Sequence, residues 1–142
     1  MGKLQLMKLD LSQKNVLITG AATGMGRSSA LELAQHGANI SIVDINQDGL
    51  NEVSEKLKSM NANFTSDLMD VTSINEVEDK IEKIEQWFEG GINCLIHFAG
   101  VLEGSVVDID ELTPETWNRI ININLNGTYN VTRAVAKHMK KR

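Results

Sequence analysis

The sequence has one cysteine, one proline and no long apolar run, and each scarcity excludes a class of protein. A single cysteine forms no internal disulfide, which excludes a disulfide-stabilised secreted fold. No stretch approaches the roughly 18 consecutive apolar residues of a membrane-spanning helix. Positive charge is also scarce, since 14 Lys and Arg face 19 Asp and Glu for a net charge of −5. We therefore expect a cytoplasmic protein that binds neither membranes nor nucleic acids, because nucleic-acid binders usually carry a basic face.

The remaining composition is that of a folded domain. Hydrophobic residues make up 42% of the 142 residues and charged residues 23%, which argues against disorder. The length fits one domain, and no internal repeat or linker divides the sequence. Short aliphatic runs alternate with amphipathic stretches, which predicts strands over residues 15–19, 39–43, 62–66 and 92–98, each followed by a helix.

This order of elements predicts an α/β fold. Strands separated by single helices become parallel neighbours joined by right-handed crossovers, as in a doubly wound Rossmann-type sheet. We expect the strand order 3-2-1-4 and a single nucleotide-binding domain over residues 1–142. The last helix should begin with Thr113 as N-cap and Pro114 in its first turn.

A glycine-rich segment, TGAATGMG at residues 19–26, lies between the first predicted strand and the first predicted helix. Gly20 permits a tight turn, Gly24 lets the backbone approach a pyrophosphate, and Gly26 lets the helix pack closely. The helix N-terminus adds free N–H groups and positive partial charge. The segment therefore indicates a dinucleotide site, with a simple strand–helix turn as the alternative.

An aspartate, Asp44, follows the second predicted strand, 18 positions after Gly26. A carboxylate at that place can accept hydrogen bonds from both hydroxyls of the adenosine ribose, and its charge repels a 2′-phosphate. No Lys or Arg within residues 21–23 or 45–47 compensates that charge. The sequence thus predicts NAD in preference to NADP, with a solvated aspartate as the alternative.

Four motifs together resemble the short-chain dehydrogenase/reductase family over residues 14–139. They are the TGxxxGxG spacing, the pair Asp70-Val71, the strand LIHFAGV at residues 95–101, and the helix segment WNRIININLNG at residues 117–127. The resemblance implies an oxidoreductase that transfers hydride between a nicotinamide and an alcohol or ketone. It also implies cofactor contacts, with Asp70 at the adenine amino group, from Gly20, Thr23, Gly24, Met25, Gly26, Asp44, Ile45, Asp70, Val71, Phe98, Ala99 and Gly100.

The sequence departs from the family at His97 and Phe98, which replace a pair of asparagines. The amide that ties the central strands together and meets the cofactor is therefore missing, whereas backbone contacts at residues 98–100 can survive. We expect His97 to be a hydrogen-bonded core residue and not a catalytic base. Phe98 should pack in the core and not on the adenosine.

A polar residue, Asn124, interrupts an apolar face that it shares with Trp117 and Ile120 on the last predicted helix. A buried amide without partners costs about 1–3 kcal/mol. The resemblance implies that Asn124 bends the helix and holds a water in a proton relay, which makes it the candidate catalytic residue. The alternative is a satisfied core amide.

The family's acid/base pair, a tyrosine followed four residues later by a lysine that lowers its pKa, is not found. The only tyrosine, Tyr129, lies five residues after Asn124 on the same helix and precedes Arg133, so we expect it to pack against a neighbouring helix. We expect Cys94 to lie in the core, and the histidines and cysteine show no metal-ligand spacing.

The family's fifth strand, serine and tyrosine–lysine pair would all follow residue 142. The sequence therefore predicts the cofactor-binding portion of a longer enzyme, C-terminally incomplete, inactive alone and a homo-oligomer with a small alcohol or ketone substrate when complete. The main alternative is a non-catalytic NAD-binding module. A methyltransferase is a weaker alternative, because its GxGxG glycine motif does not match residues 20–26.

Overall fold

The computed structural model describes residues 9–103 and 106–142. Their strands form one parallel sheet in the order β3-β2-β1-β4. The strands are β1 (Asn15–Thr19), β2 (Asn39–Asp44), β3 (Phe64–Leu68) and β4 (Cys94–His97). The predicted α/β class and the strand order are confirmed.

Helices cover both faces of this sheet. They are α1 (Gly24–Gln35), α2 (Gln47–Ser59), α3 (Ile74–Trp87), α4 (Pro114–Ile120) and α5 (Gly127–Met139), with a π-helical segment, Ile121–Asn126, joining the last two. The side chain of Thr113 accepts the N–H of Thr116, as predicted for the N-cap of α4. None of the helices in the described residues combines the length and the apolar character needed to span a membrane.

The core has two parts because successive side chains of a strand point to opposite faces. Leu17 packs with residues of α3 and α5, whereas Val16 and Ile18 pack with residues of α1 and α2. Each of these three residues of β1 is at most 3% exposed. The central strand is therefore buried on both faces, as a parallel sheet requires.

The structure corrects three predicted boundaries. β3 begins at residue 64 and not at 62, because Asn61 adopts a φ of 53° in the turn after α2. β4 is shorter than the predicted range 92–98, since residues before Cys94 turn through Gly90 and Gly91, both with positive φ. The predicted single last helix contains the π-helical segment.

Two predicted core residues are exposed instead. Cys94 begins β4, which has a strand neighbour on one side only within the described sheet, and its side chain is exposed. Tyr129 is 61% exposed because α5 turns Val131, Ala134 and Val135 toward the sheet. The predictions that Cys94 lies in the core and that Tyr129 packs against a helix were wrong.

Candidate functional site

A cavity of about 490 Å³ opens beyond the carboxyl ends of the four strands. This edge is where open α/β sheets bind their ligands. Loops after every strand contribute to its lining, as do residues of α4 and of the π-helical segment. The lining consists of Gly20, Thr23, Val43, Asp44, Ile45, Met69, Asp70, Val71, Thr72, Phe98, Ala99, Gly100, Val101, Arg119, Asn122 and Ile123.

The glycine-rich turn between β1 and α1 is folded tightly against its surroundings. Gly20 has a φ of 65°, and a Cβ atom there would lie 2.6 Å from the backbone nitrogen of Ala99. A Cβ at position 26 would lie 2.1 Å from the Gly20 carbonyl oxygen, so Gly26 serves the approach of α1 to the turn. Gly24 has a φ of 52°, and a Cβ there would have no atom within 4 Å, so open space adjoins the start of the helix.

The first turn of α1 retains free N–H groups. Thr23, its N-cap, makes no side-chain capping hydrogen bond, and the first turn contains no acidic residue. Uncapped N–H groups and the helix dipole together favour an anion at this position. Met25 is 71% exposed beside it.

Asp44 links the end of β2 to two backbone segments. Its Oδ2 accepts the N–H of Ala22 at 3.0 Å, and its Oδ1 accepts the N–H of Asn46 at 3.0 Å. The carboxylate is thereby fixed on the rim of the cavity with accepting capacity to spare, because an ionised carboxylate has about four acceptor positions. The guanidinium of Arg27, the cation of α1, contacts Glu52 at 3.1 Å.

Asp70 is held in a similar way after β3. Its Oδ1 accepts both the N–H and the hydroxyl of Thr72, at 2.9 and 2.8 Å. Its own N–H donates to Glu76 Oε1 at 3.1 Å. Only one carboxylate oxygen of Asp70 is therefore engaged in these bonds.

Helix α5 approaches Val71, the residue after Asp70, very closely. Asn130 Nδ2 donates to the Val71 carbonyl oxygen at 3.0 Å. A Cβ at Gly127 would lie 2.6 Å from Val71 Cγ2, so only glycine permits this approach. These contacts bring the π-helical segment to the cavity.

His97, at the end of β4, is hydrogen-bonded as predicted. Its Nδ1 lies 2.7 Å from Thr19 Oγ1, which also accepts the N–H of Ala99 at 3.3 Å. Its Nε2 is buried and has no hydrogen-bond partner among the described residues. Burial lowers the pKa of His97. Phe98 packs against the α1/α2 side of the core, as expected, and also lines the cavity.

Asn124 is exposed, so the prediction of a buried amide on an apolar face was wrong. Its neighbour on that face, Trp117, is 50% exposed as well. The amide nevertheless has partners: Oδ1 accepts the Val101 N–H at 2.8 Å, and Nδ2 donates to the Val101 carbonyl at 2.9 Å. Asn124 lies in the π-helical segment, a distortion that is frequent at functional sites.

A protein-family model described as short chain dehydrogenase matches residues 14–142. The chain belongs to the short-chain dehydrogenase family. It is 31% identical over 131 residues to a 3-oxoacyl-[acyl-carrier-protein] reductase of Thermotoga maritima, covering 92% of this chain and 52% of that protein. It is 36% identical over 132 residues to a 2,3-dihydro-2,3-dihydroxybenzoate dehydrogenase of Bacillus subtilis, covering 91% and 48%.

A solved structure of a short-chain type dehydrogenase/reductase from Mycobacterium marinum has the same fold. The TM-score is 0.84 at 29% identity, over 91% of this chain and 51% of that one. The chain spans about half the length of the curated relatives that it matches. The predicted family and its Rossmann-type architecture are both confirmed.

The predicted site residues fall into two groups. Most of them line the cavity together. Those that lie outside its lining are Gly24, Met25, Gly26 and Asn124. The first three form the start of α1, and the fourth acts on the cavity wall through Val101.

Sequence reasoning missed seven residues of the lining. Four of them, Val43, Met69, Thr72 and Val101, adjoin predicted residues along the chain. The other three, Arg119, Asn122 and Ile123, share one helical face through their spacing of three and four residues, a signal that was available. Arg119 is paired with Glu103 and is the one cationic side chain of the lining as far as the structure describes it. In the same part of the chain no group of three or more His, Cys, Asp or Glu could hold a metal ion.

Proposed function

We propose that this chain is the NAD-binding portion of an oxidoreductase that transfers hydride between a nicotinamide and an alcohol or ketone. The observation that carries the proposal is the convergence of the glycine-rich turn, Asp44 and Asp70 on one cavity at the carboxyl ends of the strands. In the proposed site the first two features would meet the diphosphate and the ribose of a dinucleotide. The third, Asp70, would meet the adenine, as the family resemblance implies.

The residues present fit such a cofactor. The open space at Gly24 and the uncapped N–H groups of α1 suit the diphosphate. Asp44 offers acceptors for the ribose hydroxyls, and the second oxygen of Asp70 offers one for the adenine amino group. The role of the bound cofactor would be to supply the nicotinamide ring that accepts or donates the hydride. Met25 and Ile45, 71% and 73% exposed, would cover the cofactor from the rim.

NAD is proposed in preference to NADP because of the charge of Asp44. A 2′-phosphate about 4 Å from this carboxylate would cost on the order of 1–4 kcal/mol per unit charge, depending on the effective dielectric constant. The nearest cation of α1, Arg27, is paired with Glu52 and leaves that charge uncompensated. Because backbone N–H groups hold both oxygens of Asp44, the carboxylate cannot easily turn away.

Calorimetric titration of the purified 142-residue chain with NAD and with NADP tests this preference. We expect NAD to bind at least about tenfold more tightly, in line with a difference of about 1.4 kcal/mol. Asp44→Asn should narrow the difference, whereas Asp48→Asn, the same charge change on the exposed start of α2, should preserve it. Equal or tighter binding of NADP to the unmodified chain would refute the preference.

The acid/base group of the reaction is not assigned to any of the 142 residues. Tyr129 is 61% exposed, and the guanidinium of Arg133 contacts Glu78 Oε1 at 2.6 Å. The hydrogen bond and the charge of Glu78 raise the pKa of Arg133. A catalytic part for Asn124, through a bound water, stays a prediction.

An activity assay tests the proposal that this chain binds the cofactor without supplying the acid/base group. The 142-residue chain should bind NAD yet produce no NADH absorbance from any secondary alcohol. This outcome is shared by the alternative of a non-catalytic NAD-binding module, and turnover by the chain would contradict both. A cytoplasmic location and self-association of the whole protein belong to the same proposal and rest on the family; fractionation and gel filtration test them.

A further inference from the structure

His97 stands where the family resemblance places an asparagine, and its ring is part of a three-residue hydrogen-bond network. Thr19, which is 0% exposed, pairs with His97 in the register of β1 and β4. Its Oγ1 lies 2.7 Å from His97 Nδ1 and 3.3 Å from the backbone nitrogen of Ala99. The threonine hydroxyl thus joins the histidine ring to a residue that lines the cavity.

The network determines which nitrogen of the ring carries the proton. Ala99 N–H donates to Thr19 Oγ1, so the hydroxyl hydrogen of Thr19 needs an acceptor of its own. Among the described residues, His97 Nδ1 is the acceptor within reach. The arrangement that satisfies this hydroxyl hydrogen is a neutral ring with its proton on the buried Nε2.

The position of Ala99 matters because the cavity wall is tightly packed at this point. A Cβ on Gly20 would lie 2.6 Å from the Ala99 nitrogen and 2.6 Å from the Phe98 carbonyl carbon. The glycine-rich turn and the segment Phe98–Gly100 therefore touch through their backbones, and both line the cavity. A change in the hydrogen bond from the Ala99 N–H to Thr19 Oγ1 would therefore move the segment Phe98–Gly100 relative to the glycine-rich turn.

We infer that His97 is a positioning residue of the dinucleotide cavity, whose neutral ring holds Thr19 and thereby Ala99 in place. The inference rests on the proposed NAD site for its effect on binding. Protonation of His97 would put a hydrogen on Nδ1, remove the acceptor of the Thr19 hydroxyl and leave a charged N–H at Nε2 without a partner. Cofactor binding should accordingly weaken as the ring becomes charged.

No titratable side chain of β1, of the π-helical segment or of the buried face of α5 offsets that effect. β1 and the π-helical segment contain no titratable residue. On α5 the buried positions are neutral, namely Gly127, Asn130, Val131, Ala134 and Val135. The titratable residues of α5 lie elsewhere: Tyr129 and Lys137 are exposed, Arg133 pairs with Glu78 and His138 with Glu82. Burial, which lowers the pKa of His97, acts in the same direction as the network.

The first test needs no cofactor. Nitrogen-15 NMR of the histidine rings reports which nitrogen is protonated, and the amide resonance of Ala99 reports the wall. We expect neutral His97 with Nε2 protonated above pH 7, and an Ala99 resonance that moves with His97 as it titrates. In His97→Asn the Ala99 resonance should not shift over the pH range in which His97 titrates in the wild-type chain. A proton on Nδ1 of the neutral ring, or an Ala99 resonance indifferent to His97, would overturn the inference.

The second test is the pH profile of NAD affinity for the same chain. Wild type should bind more weakly at pH 5.5 than at pH 8, by up to about tenfold, the limit expected for the loss of one hydrogen bond when the ring is fully charged. His97→Asn, which restores an amide, should bind equally at both pH values, and His97→Leu should bind weakly at both. His36→Asn, the same substitution at a surface pair with Glu32, should keep the wild-type profile.

The two proposals fail in different ways. If the unmodified chain does not bind NAD at pH 8 while Ala99 still follows His97, the NAD site is wrong and the positioning role stands. If NAD binds with the same affinity at both pH values in wild type, His97→Asn and His97→Leu, the NAD site stands and the role of His97 in binding is refuted.

Discussion

The side-chain amide of Asn39 donates to Asn15 Oδ1 at 2.8 Å, across the beginnings of β2 and β1. This bond belongs to a row that crosses the whole sheet. Asn63 Nδ2 donates to Asn39 Oδ1 at 2.9 Å, and Asn93 Oδ1 accepts the Asn15 N–H at 2.8 Å. Four asparagines therefore align the amino ends of the strands, at the edge opposite the cavity. One edge of the sheet is held by side-chain amides, and the other is left to the ligand.

Removal of Asn15 should be the most damaging change in this row. Asn15 is 4% exposed, and its Nδ2 also donates to the carbonyls of Glu89 and Gly91, both at 2.8 Å. Asn15→Ala leaves several buried groups unpaired and should lower the free energy of unfolding by about 2–4 kcal/mol. Asn63→Ala, at the exposed end of the row, should cost less than about 1 kcal/mol. Urea denaturation measures both, and equal losses would contradict the assigned role of Asn15.

The glycine-rich turn gives a second prediction, in which two glycines separate steric clash from backbone strain. Gly20→Ala places a Cβ 2.6 Å from the Ala99 nitrogen at a φ of 65°, whereas Gly24→Ala meets open space at a φ of 52°. Gly24→Ala should cost about 1–2 kcal/mol from the left-handed conformation alone. Gly20→Ala should cost clearly more in the same denaturation experiment. A smaller loss of stability in Gly20→Ala than in Gly24→Ala would show that the glycine-rich turn can move away from Phe98 and Ala99.

The substitution Gly24→Ala also tests NAD binding separately from stability. A methyl group at Gly24 stands where the proposed diphosphate approaches the helix, so Gly24→Ala should weaken NAD binding more than its modest loss of stability explains. Gly90→Ala is the matched control, because Gly90 also has a positive φ of 80° and open space around its Cβ position. It should lose similar stability and keep its NAD affinity, as calorimetry would show.

A third prediction concerns the two hydrogen bonds between Asn124 and Val101. Asn124→Ala removes the acceptor of the Val101 N–H and the donor to its carbonyl. Amide hydrogen exchange at Val101 should accelerate about five- to tenfold, as expected for the loss of about 1 kcal/mol of local stability. Asn126→Ala removes only a bond to Asn122 within the same helical segment and should leave Val101 unchanged. Unchanged exchange in Asn124→Ala would mean that other contacts hold the loop.

Much of the architecture was predictable because hydrophobic patterning and glycine chemistry are local. The aliphatic run at residues 15–19 predicted a strand, and β1 has those bounds. Gly37 has a φ of 88° just after α1, a conformation that suits a glycine at the end of a helix. The end of the second strand correctly placed Asp44 beside the turn, since parallel neighbours bring their carboxyl ends together.

What could not be predicted depends on contacts between distant segments. Cys94 and Tyr129 have the residue types of a core, but β4 has a neighbour on one side only in the part of the sheet that the structure describes, and α5 presents a different face. Asn124 has its partners in Val101, 23 residues away, so its helix did not need to bury it. Arg119, Asn122 and Ile123 share a helical face by their spacing, but the position of that face at the cavity depends on contacts between distant segments, such as the bond of Asn130 to Val71.

The last prediction concerns the stability of the fold as a function of pH, independently of any ligand. Burial lowers the pKa of His97 in the folded chain below its ordinary value, about 6.5 in an unfolded chain. As the pH falls through about 6.5, the unfolded chain takes up a proton that the folded chain resists. The contribution of His97 to the free energy of unfolding is thus fully present above that pH and declines below it, until the folded ring also titrates.

Urea denaturation between pH 8 and pH 5.5, above the range where most carboxylates titrate, measures this decline. His97→Asn has no ring to protonate and should lose the part of the slope that His97 contributes. His36→Asn keeps His97 and should keep that part. If stability in this interval depended on pH to the same extent in His97→Asn and in wild type, the neutral ring would not be a requirement of the fold, and the bond to Thr19 at 2.7 Å would tolerate a charged partner.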